Sequence, residues 1–318
     1  MNENFNQKIY YWTTALYFAL LIYCLQFFTW SDQYFYRLYY DGLQGLSFEA
    51  AYDSYRRMLT AREPMYFLFT YLIQPFFSKE WFDVIFSSFF FLSILIFLKK
   101  TKLPKIVVSL LLTSIYFLSI FYVTERLKLA VLFLLLYFIF SNKKSSVIFI
   151  FLALLSHAQI LILTPFLYFF SKIKLKNRTE IAIFFSICLF VSTFLIKHLM
   201  WKLPLYFQNY SFYNILKPSF FCIISYTFVQ RKNWSEYFSF FIPIILVALF
   251  LGEGRMTLIA FIGSIYFWSK DKKVTISSIM LLISGCYFSL KGISFFISAV
   301  LYGDAYALNT FDIIKLIL

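Results

Sequence analysis

Long apolar runs separated by short polar segments recur along the whole chain. They fall at residues 10–30, 64–77, 80–98, 104–123, 127–141, 146–170, 179–200, 212–229, 236–251, 255–269, 274–290 and 292–302. About 20 apolar residues in a helix cross a bilayer core of ~30 Å, and lipid tolerates only backbone whose polar groups are paired internally. The pattern predicts an all-α, polytopic integral membrane protein, with about 10 to 12 hydrophobic helices, some of them short, broken or re-entrant. Residues 1–318 are predicted to form a single transmembrane domain.

Composition and charge sharpen this prediction. The chain is 61% hydrophobic and only 14% charged, whereas a soluble domain is about 25% charged. The formal net charge of +14 comes largely from short basic clusters between apolar runs, at residues 99–102, 143–144, 172–178, 231–232 and 270–273. Such clusters are typical of cytoplasmic loops that orient a membrane protein. The charge therefore indicates topology, and nucleic acid is not an expected partner.

The basic clusters can all face the cytoplasm only if two of the apolar runs depart from a single crossing of the bilayer. Run 64–77 is too short to cross, and run 146–170 is interrupted by "SHAQ" near its midpoint. If the first does not cross and the second bends back, the N-terminus and all five basic clusters face the cytoplasm. The loops 31–63 and 201–211 then lie outside, together with the turns "TER" and "GEGR". A single tilted crossing at 146–170 is the simpler alternative.

Cationic side chains at these outer turns are candidates for binding an anionic substrate. Arg126 follows the "TER" turn, and its planar guanidinium suits the oxygens of a phosphate; it could equally extend to lipid headgroups. Lys128 is a second candidate, although it faces away from Arg126 in a regular helix. Arg255 in "GEGR" is a third candidate, and the neighbouring Glu253 either binds substrate or pairs with Arg255.

Three residues are candidates for acid–base chemistry. His157 lies at the interruption of run 146–170 and has a side chain suited to proton transfer, although a lone histidine is often only a packing residue. Asp32 follows the end of the first helix, and Glu63 precedes Pro64, a residue that can open a helix. The bland alternative for Asp32 and Glu63 is a solvated loop with interfacial aromatic residues. Metal-binding and cofactor motifs are absent from the sequence, so neither a metal nor a cofactor is predicted.

The order of these features resembles a known family. An acidic residue with tyrosines ("SDQYFY") is followed by a glutamate before an aromatic run ("EPMYFLF"). Then come an arginine that opens a helix ("RLKLA") and a histidine in a broken run ("SHAQILIL"). In this order they resemble the EpsG-like branch of the Wzy-type bacterial polysaccharide polymerases, chiefly over residues 30–170.

The resemblance implies a metal-independent membrane glycosyltransferase with a GT-C-like architecture, in the bacterial inner (plasma) membrane and with its active site facing outward. Its substrates would be undecaprenyl-diphosphate-linked oligosaccharides, both as donor and as acceptor. A chain-length regulator and a flippase are the partners that the resemblance implies. An O-antigen ligase and a flippase or exporter of lipid-linked oligosaccharides are the alternatives.

In that reading each candidate residue has a role. His157, Glu63 or Asp32 would act as the catalytic base on the attacking sugar hydroxyl. The diphosphate would be bound by Arg126, Arg255 and Lys128. Tyr36 and Glu253 would contact sugar.

Overall fold

The computed structural model describes residues 3–29, 32–101, 104–140, 147–157, 160, 210–230, 233–251, 253–271 and 276–303, and these residues contain helices and no strand. The α-helices are α1 (Glu3–Tyr23), α2 (Asp32–Asp41), α3 (Phe48–Met58), α4 (Pro64–Ile73), α5 (Lys79–Thr101), α6 (Lys105–Thr113), α7 (Ile115–Tyr122), α8 (Glu125–Ile139), α9 (Val147–Ser156), α10 (Leu216–Tyr226), α11 (Trp234–Leu251), α12 (Glu253–Asp271) and α13 (Ile276–Tyr302). The run 179–200, most of the loop 201–211 and the returning half of run 146–170 lie outside the described residues.

Helices of membrane-spanning length are present. Among the described residues, Lys79–Lys100 of α5 and Ile276–Tyr302 of α13 are each long and apolar enough to cross a bilayer, and two bent helix pairs would raise that number to four. Large apolar side chains on their outer faces are exposed, among them Phe89 and Leu92 on α5 and Ile283 on α13. Apolar surface of this kind is covered by lipid in a membrane. The all-helical membrane prediction is therefore confirmed in this coarser form.

Two stretches differ from the simple pattern of apolar runs and loops. Residues 32–63 contain helices, because α2 and α3 occupy most of that stretch and bury Tyr36, Tyr39 and Tyr55. The runs 274–290 and 292–302 are not separate, because α13 continues through Lys291 as one helix of 27 residues. An isolated lysine near a helix end extends its charge toward water along its apolar stem, so it does not end the helix.

Short and broken elements appear where the sequence predicted them, and in one further place. Helix α4 has only 10 residues, and α9 ends at Ser156 beside the "SHAQ" interruption. Run 104–123 is also broken, with a 53° bend between α6 and α7. At that break Ser114 caps α7, since its side chain accepts a hydrogen bond from the amide of Phe117.

The helices enclose two hydrophobic cores. The first is built by α1 to α7 and α8, and includes Phe90, Phe121 and Tyr122. The second is built around α9 to α12 and includes Phe241 and Phe261. Helices α8 and α13 contribute to both cores, so the start of α8 is held on several sides.

Candidate active site

The three charged side chains at the start of α8 point in different directions. Glu125 and Lys128 are three residues apart and lie on one face of the helix, which packs against α5. Arg126 is directed instead toward α2 and the residues just before α4. Their contacts show which of the three is available to a ligand.

Arg126 is held by two side chains from separate elements. Its Nη1 donates to Oε2 of Glu63 at 3.1 Å, and its Nε donates to the hydroxyl of Tyr36 at 3.3 Å. The side chain of Arg126 retains 16% exposure, whereas that of Glu63 retains 2%. Among the described residues, these contacts use Nε and Nη1 and leave Nη2 for a further acceptor.

Glu63 is itself fixed by its surroundings. The same Oε2 atom accepts a hydrogen bond from the backbone amide of Arg62 at 3.2 Å. The hydroxyl of Tyr55 donates to the backbone carbonyl of Glu63 at 3.0 Å. Burial raises the pKa of Tyr55 well above its ordinary range, so that hydroxyl keeps its proton and remains a donor.

A buried network of charges supports the start of α8 from behind. Nζ of Lys79 donates to Oε1 of Glu125 at 2.6 Å and also to Asp83, while Tyr66 donates to Oε2 of Glu125 at 2.5 Å. Glu125 and Lys79 are almost fully enclosed, at 0% and 2% exposure. Arg37 approaches Asp83 at 3.9 Å and extends the network toward the surface. The network joins α2, α4 and α5 to α8.

Lys128 belongs to this network's surroundings and lies apart from Arg126. Its Nζ donates to Oγ of Ser87 at 3.1 Å and lies over the rings of Phe86 and Phe121. It is 1% exposed. The predicted divergence of Lys128 and Arg126 is observed, and the role of Lys128 in diphosphate binding stays a prediction.

The predicted acids and bases are placed as follows. Asp32 is exposed at the start of α2, one helical turn before Tyr36. His157 is half-buried directly after α9. Helix α9 packs against α8 and α4, and Phe149 near the start of α9 contacts Phe140 at the end of α8. His157, beyond the other end of α9, therefore lies toward the end of α8 that carries Arg126.

The second-half candidates are described only in part. The backbone of Glu253 and Arg255 forms the first turn of α12, and their side chains lie outside the described residues. Leu258, one turn further on, packs in the first core. The start of α12 therefore approaches the half of the molecule that contains Arg126. Among the described residues, no three His, Cys, Asp or Glu side chains are grouped as metal ligands.

The sequence reasoning missed Lys79, Asp83 and Tyr66. A signal was available for the first two, because they lie four residues apart at the beginning of a predicted spanning helix. Ionisable residues there are rare unless they are paired. Tyr66 gave no signal among the many tyrosines of the chain.

Helices α5 and α8 run parallel, which defines two ends of the molecule. Lys79 at the start of α5 contacts Glu125 at the start of α8. Nζ of Lys100, at the other end of α5, donates to the carbonyls of Phe138 and Ile139, both at 3.0 Å, at the end of α8. The 23 residues of α5 span about 34 Å. Lys99 and Lys100 therefore lie at the far end of α5 from Arg126.

The fold and this site together define a class: an α-helical membrane protein with a preorganised arginine at one end of its spanning helices. Residues 9–219 match the EpsG family, more than half of the chain. The chain belongs to the EpsG family, which confirms the resemblance inferred from the sequence. This membership associates it with polysaccharide polymerisation in membranes and with glycosyltransferase activity. No match was found among curated proteins or among solved structures.

Proposed function

We propose that this protein is a membrane glycosyltransferase that polymerises a lipid-linked polysaccharide, with Arg126 as the ligand of the lipid diphosphate. Family membership supports the class of activity. The observation that carries the residue assignment is that Tyr36 and Glu63 hold Arg126 while part of its side chain remains exposed. A preorganised cation needs little reorganisation when a negative charge develops beside it.

The proposed reaction transfers the growing glycan from its lipid diphosphate to a new lipid-linked unit. A hydroxyl of the acceptor sugar attacks the anomeric carbon of the donor, and the bond from that carbon to the diphosphate oxygen breaks. The electron pair of that bond leaves with the lipid diphosphate, where Arg126 stabilises the added charge. The proton of the attacking hydroxyl passes to a base.

His157 is the base that we favour among the three predicted residues. Glu63 is committed to the guanidinium of Arg126, so accepting a proton would break the pair that holds Arg126 in place. Asp32 is exposed on α2, so it is more suited to contacting sugar than to removing a proton in a water-excluded site. Tyr36 is buried against Arg126 and acts as a positioning residue, while Glu253, Arg255 and Lys128 keep their predicted roles as secondary ligands.

We place the site at the outer face of the bacterial plasma membrane, with undecaprenyl-diphosphate-linked oligosaccharides as both substrates. The parallel arrangement of α5 and α8 supports this placement. It separates Arg126 from the lysines that end α5, and such lysines are typical of the cytoplasmic side.

The first test is the length distribution of surface polysaccharide in a deletion strain that expresses Arg126→Lys or Arg126→Gln. Lysine keeps the charge but loses the fork that contacts Tyr36 and Glu63. We expect long polymer to fall at least about tenfold with either variant, as for loss of one charge-stabilising donor, while single repeat units continue to be exported and attached. Lys105→Gln is the matched control, because Lys105 lies against Tyr10 of α1.

The result also separates the alternatives. Normal polymer from Arg126→Lys, at equal expression, would contradict the diphosphate role of the guanidinium fork. Loss of single repeat units from the surface would favour an exporter, or a ligase of the O-antigen type, over a polymerase.

A further inference from the structure

An arginine-rich groove lies next to the candidate active site. It is half-open, has a volume of about 490 Å³, and is lined by Asp53, Arg56, Arg57, Thr60, Ala61 and Arg62. These residues come from the end of α3 and from the segment that connects α3 to α4. Three arginines against one aspartate make the lining net positive.

The arginines are only weakly engaged within the protein. Arg56 approaches Asp53 at 3.7 Å, and the side chains of the two are 43% and 63% exposed. Arg57 donates from Nε to the backbone carbonyl of Asp53 at 3.4 Å. Exposed pairs of this kind are easily exchanged for a ligand, because water and salt already screen them.

Stabilisation of the helix end does not account for the whole groove. Arg56 and Arg57 lie in the last turn of α3, where cations favourably oppose the helix dipole. Arg62 lies beyond the helix and has no such role. Between them the backbone of Thr60 has φ of +45°, a conformation that a β-branched residue rarely adopts. This turn brings Arg62 to the same groove as the two helical arginines.

The groove is joined to the candidate active site through one carboxylate. Oε2 of Glu63 accepts from the backbone amide of Arg62 and from Nη1 of Arg126. Arg62, which lines the groove, is therefore adjacent in the chain to the carboxylate that holds Arg126.

We propose that this groove binds the anionic groups, carboxylate or phosphate, of the glycan on which the enzyme acts. The inference rests on the proposed function for the identity of the ligand, and it names acidic saccharides as the substrate class. Guanidinium groups recognise both kinds of oxygen anion through paired hydrogen bonds. The face of α3 that carries Glu49, Asp53 and Arg57 is polar and exposed, so the groove suits a soluble sugar chain better than a lipid headgroup.

The test measures binding to the full-length protein in phosphatidylcholine nanodiscs. The probes are a hexamer of galacturonic acid, a neutral maltohexaose of equal length, and farnesyl diphosphate as a short lipid diphosphate. We expect the acidic hexamer to bind, the neutral hexamer not to bind, and the acidic affinity to fall with added salt. The triple variant R56Q/R57Q/R62Q is expected to lower the affinity for the acidic hexamer by at least about tenfold, as for the loss of several charge-assisted contacts.

Two single substitutions provide matched controls. Asp53→Asn removes the negative charge of the groove, so the affinity for the acidic hexamer is expected to rise about two- to threefold. Partial unfolding cannot produce a rise in affinity. Lys105→Gln, which lies outside the groove, is expected to leave every affinity unchanged. Arg126→Gln is expected to lower the affinity for farnesyl diphosphate and to change the affinity for the acidic hexamer less than about twofold.

The outcomes are distinct. Equal affinity of the acidic hexamer for the wild-type protein and the triple variant would overturn the groove proposal and leave the polymerase proposal intact. If the triple variant lost binding of farnesyl diphosphate but kept binding of the acidic hexamer, the groove would be a headgroup site, and the groove proposal would also be overturned. Acidic-hexamer binding that depends on the groove, with normal polymer from Arg126→Gln, would support the groove and contradict the assigned role of Arg126.

Discussion

At the scale of single residues, the charges that open α8 have separate functions because adjacent helical positions face different neighbours. Glu125 faces inward, where Lys79 neutralises its charge and donates to one carboxylate oxygen. The hydroxyl of Tyr66 donates to the other oxygen. Arg126 faces the segment before α4, where part of it stays accessible. A buried carboxylate is tolerated only with such partners. Glu125 and Lys79 therefore fix the start of α8, which positions Arg126, and do not compete with it for substrate.

Removing Lys79 is expected to destabilise the protein strongly. Lys79→Met leaves Glu125 buried without its paired cation and Asp83 with only the more distant Arg37, which costs about 3–5 kcal/mol of unfolding free energy, as for a broken buried pair. The measurement is the thermal unfolding midpoint of the purified protein in detergent. Glu80→Gln is the matched control on the same helix, because Glu80 is 69% exposed and its surface pair is worth about 0–1 kcal/mol.

A double substitution tests whether the loss comes from the unpaired charge. Lys79→Met combined with Glu125→Gln removes both the cation and one of the anions that it neutralises. The double variant is expected to be less destabilised than the sum of the two single variants, because the singles share one interaction. Strict additivity would contradict a coupled network.

At the scale of elements, α13 packs closely against the break between α6 and α7. Ser289 donates to the carbonyl of Leu110 at 3.1 Å and pairs with Thr113 at 2.9 Å. One turn further along, a Cβ on Gly292 would stand 2.0 Å from the carbonyl oxygen of Thr113. Small residues permit this close approach of helix backbones, which is a common basis of packing in membranes.

The close approach makes Gly292 sensitive to a single methyl group. Gly292→Ala is expected to lower the unfolding free energy by at least the ~1–3 kcal/mol typical of overpacking, since backbone must move to relieve the contact. Thermal unfolding and expression level in membranes measure the effect. Gly254→Ala is the matched control, because no atom of the described residues lies within 4 Å of its added Cβ; an equal loss from both variants would contradict the packing explanation.

At the scale of the whole molecule, the parallel course of α5 and α8 separates a charged end from a basic end. Glu63, Arg126 and the groove at the end of α3 lie at the first end, and Lys100 lies at the second. An enzyme for lipid-linked substrates that are exported before polymerisation needs the first end outside. Sidedness is therefore a direct test of the proposed function.

Single cysteines introduced at the two ends test this orientation. In a variant whose natural cysteines are replaced by alanine, Glu49→Cys on α3 is expected to react with a membrane-impermeant maleimide in intact cells. Lys105→Cys, at the start of α6, is expected to react only after the membrane is permeabilised. The reverse pattern would place Arg126 in the cytoplasm and contradict polymerisation at the outer face. Both residues are exposed, so accessibility within the protein is matched.

The amino-acid sequence by itself determined the membrane class, most of the helices, the short α4, the end of α9 at Ser156, and the family. These follow from local apolar length and from the order of motifs, which do not depend on distant contacts. Only the tertiary structure decided that residues 32–63 contain α2 and α3, that Lys128 is fully buried, and that Glu63, Tyr36 and Arg126 meet. This meeting depends on contacts between residues that are 63 and 90 positions apart, and no local pattern encodes it. The same holds for Lys79, whose charge is tolerated inside the fold because Asp83 and also Glu125, on another helix and within 2.6 Å, pair with it.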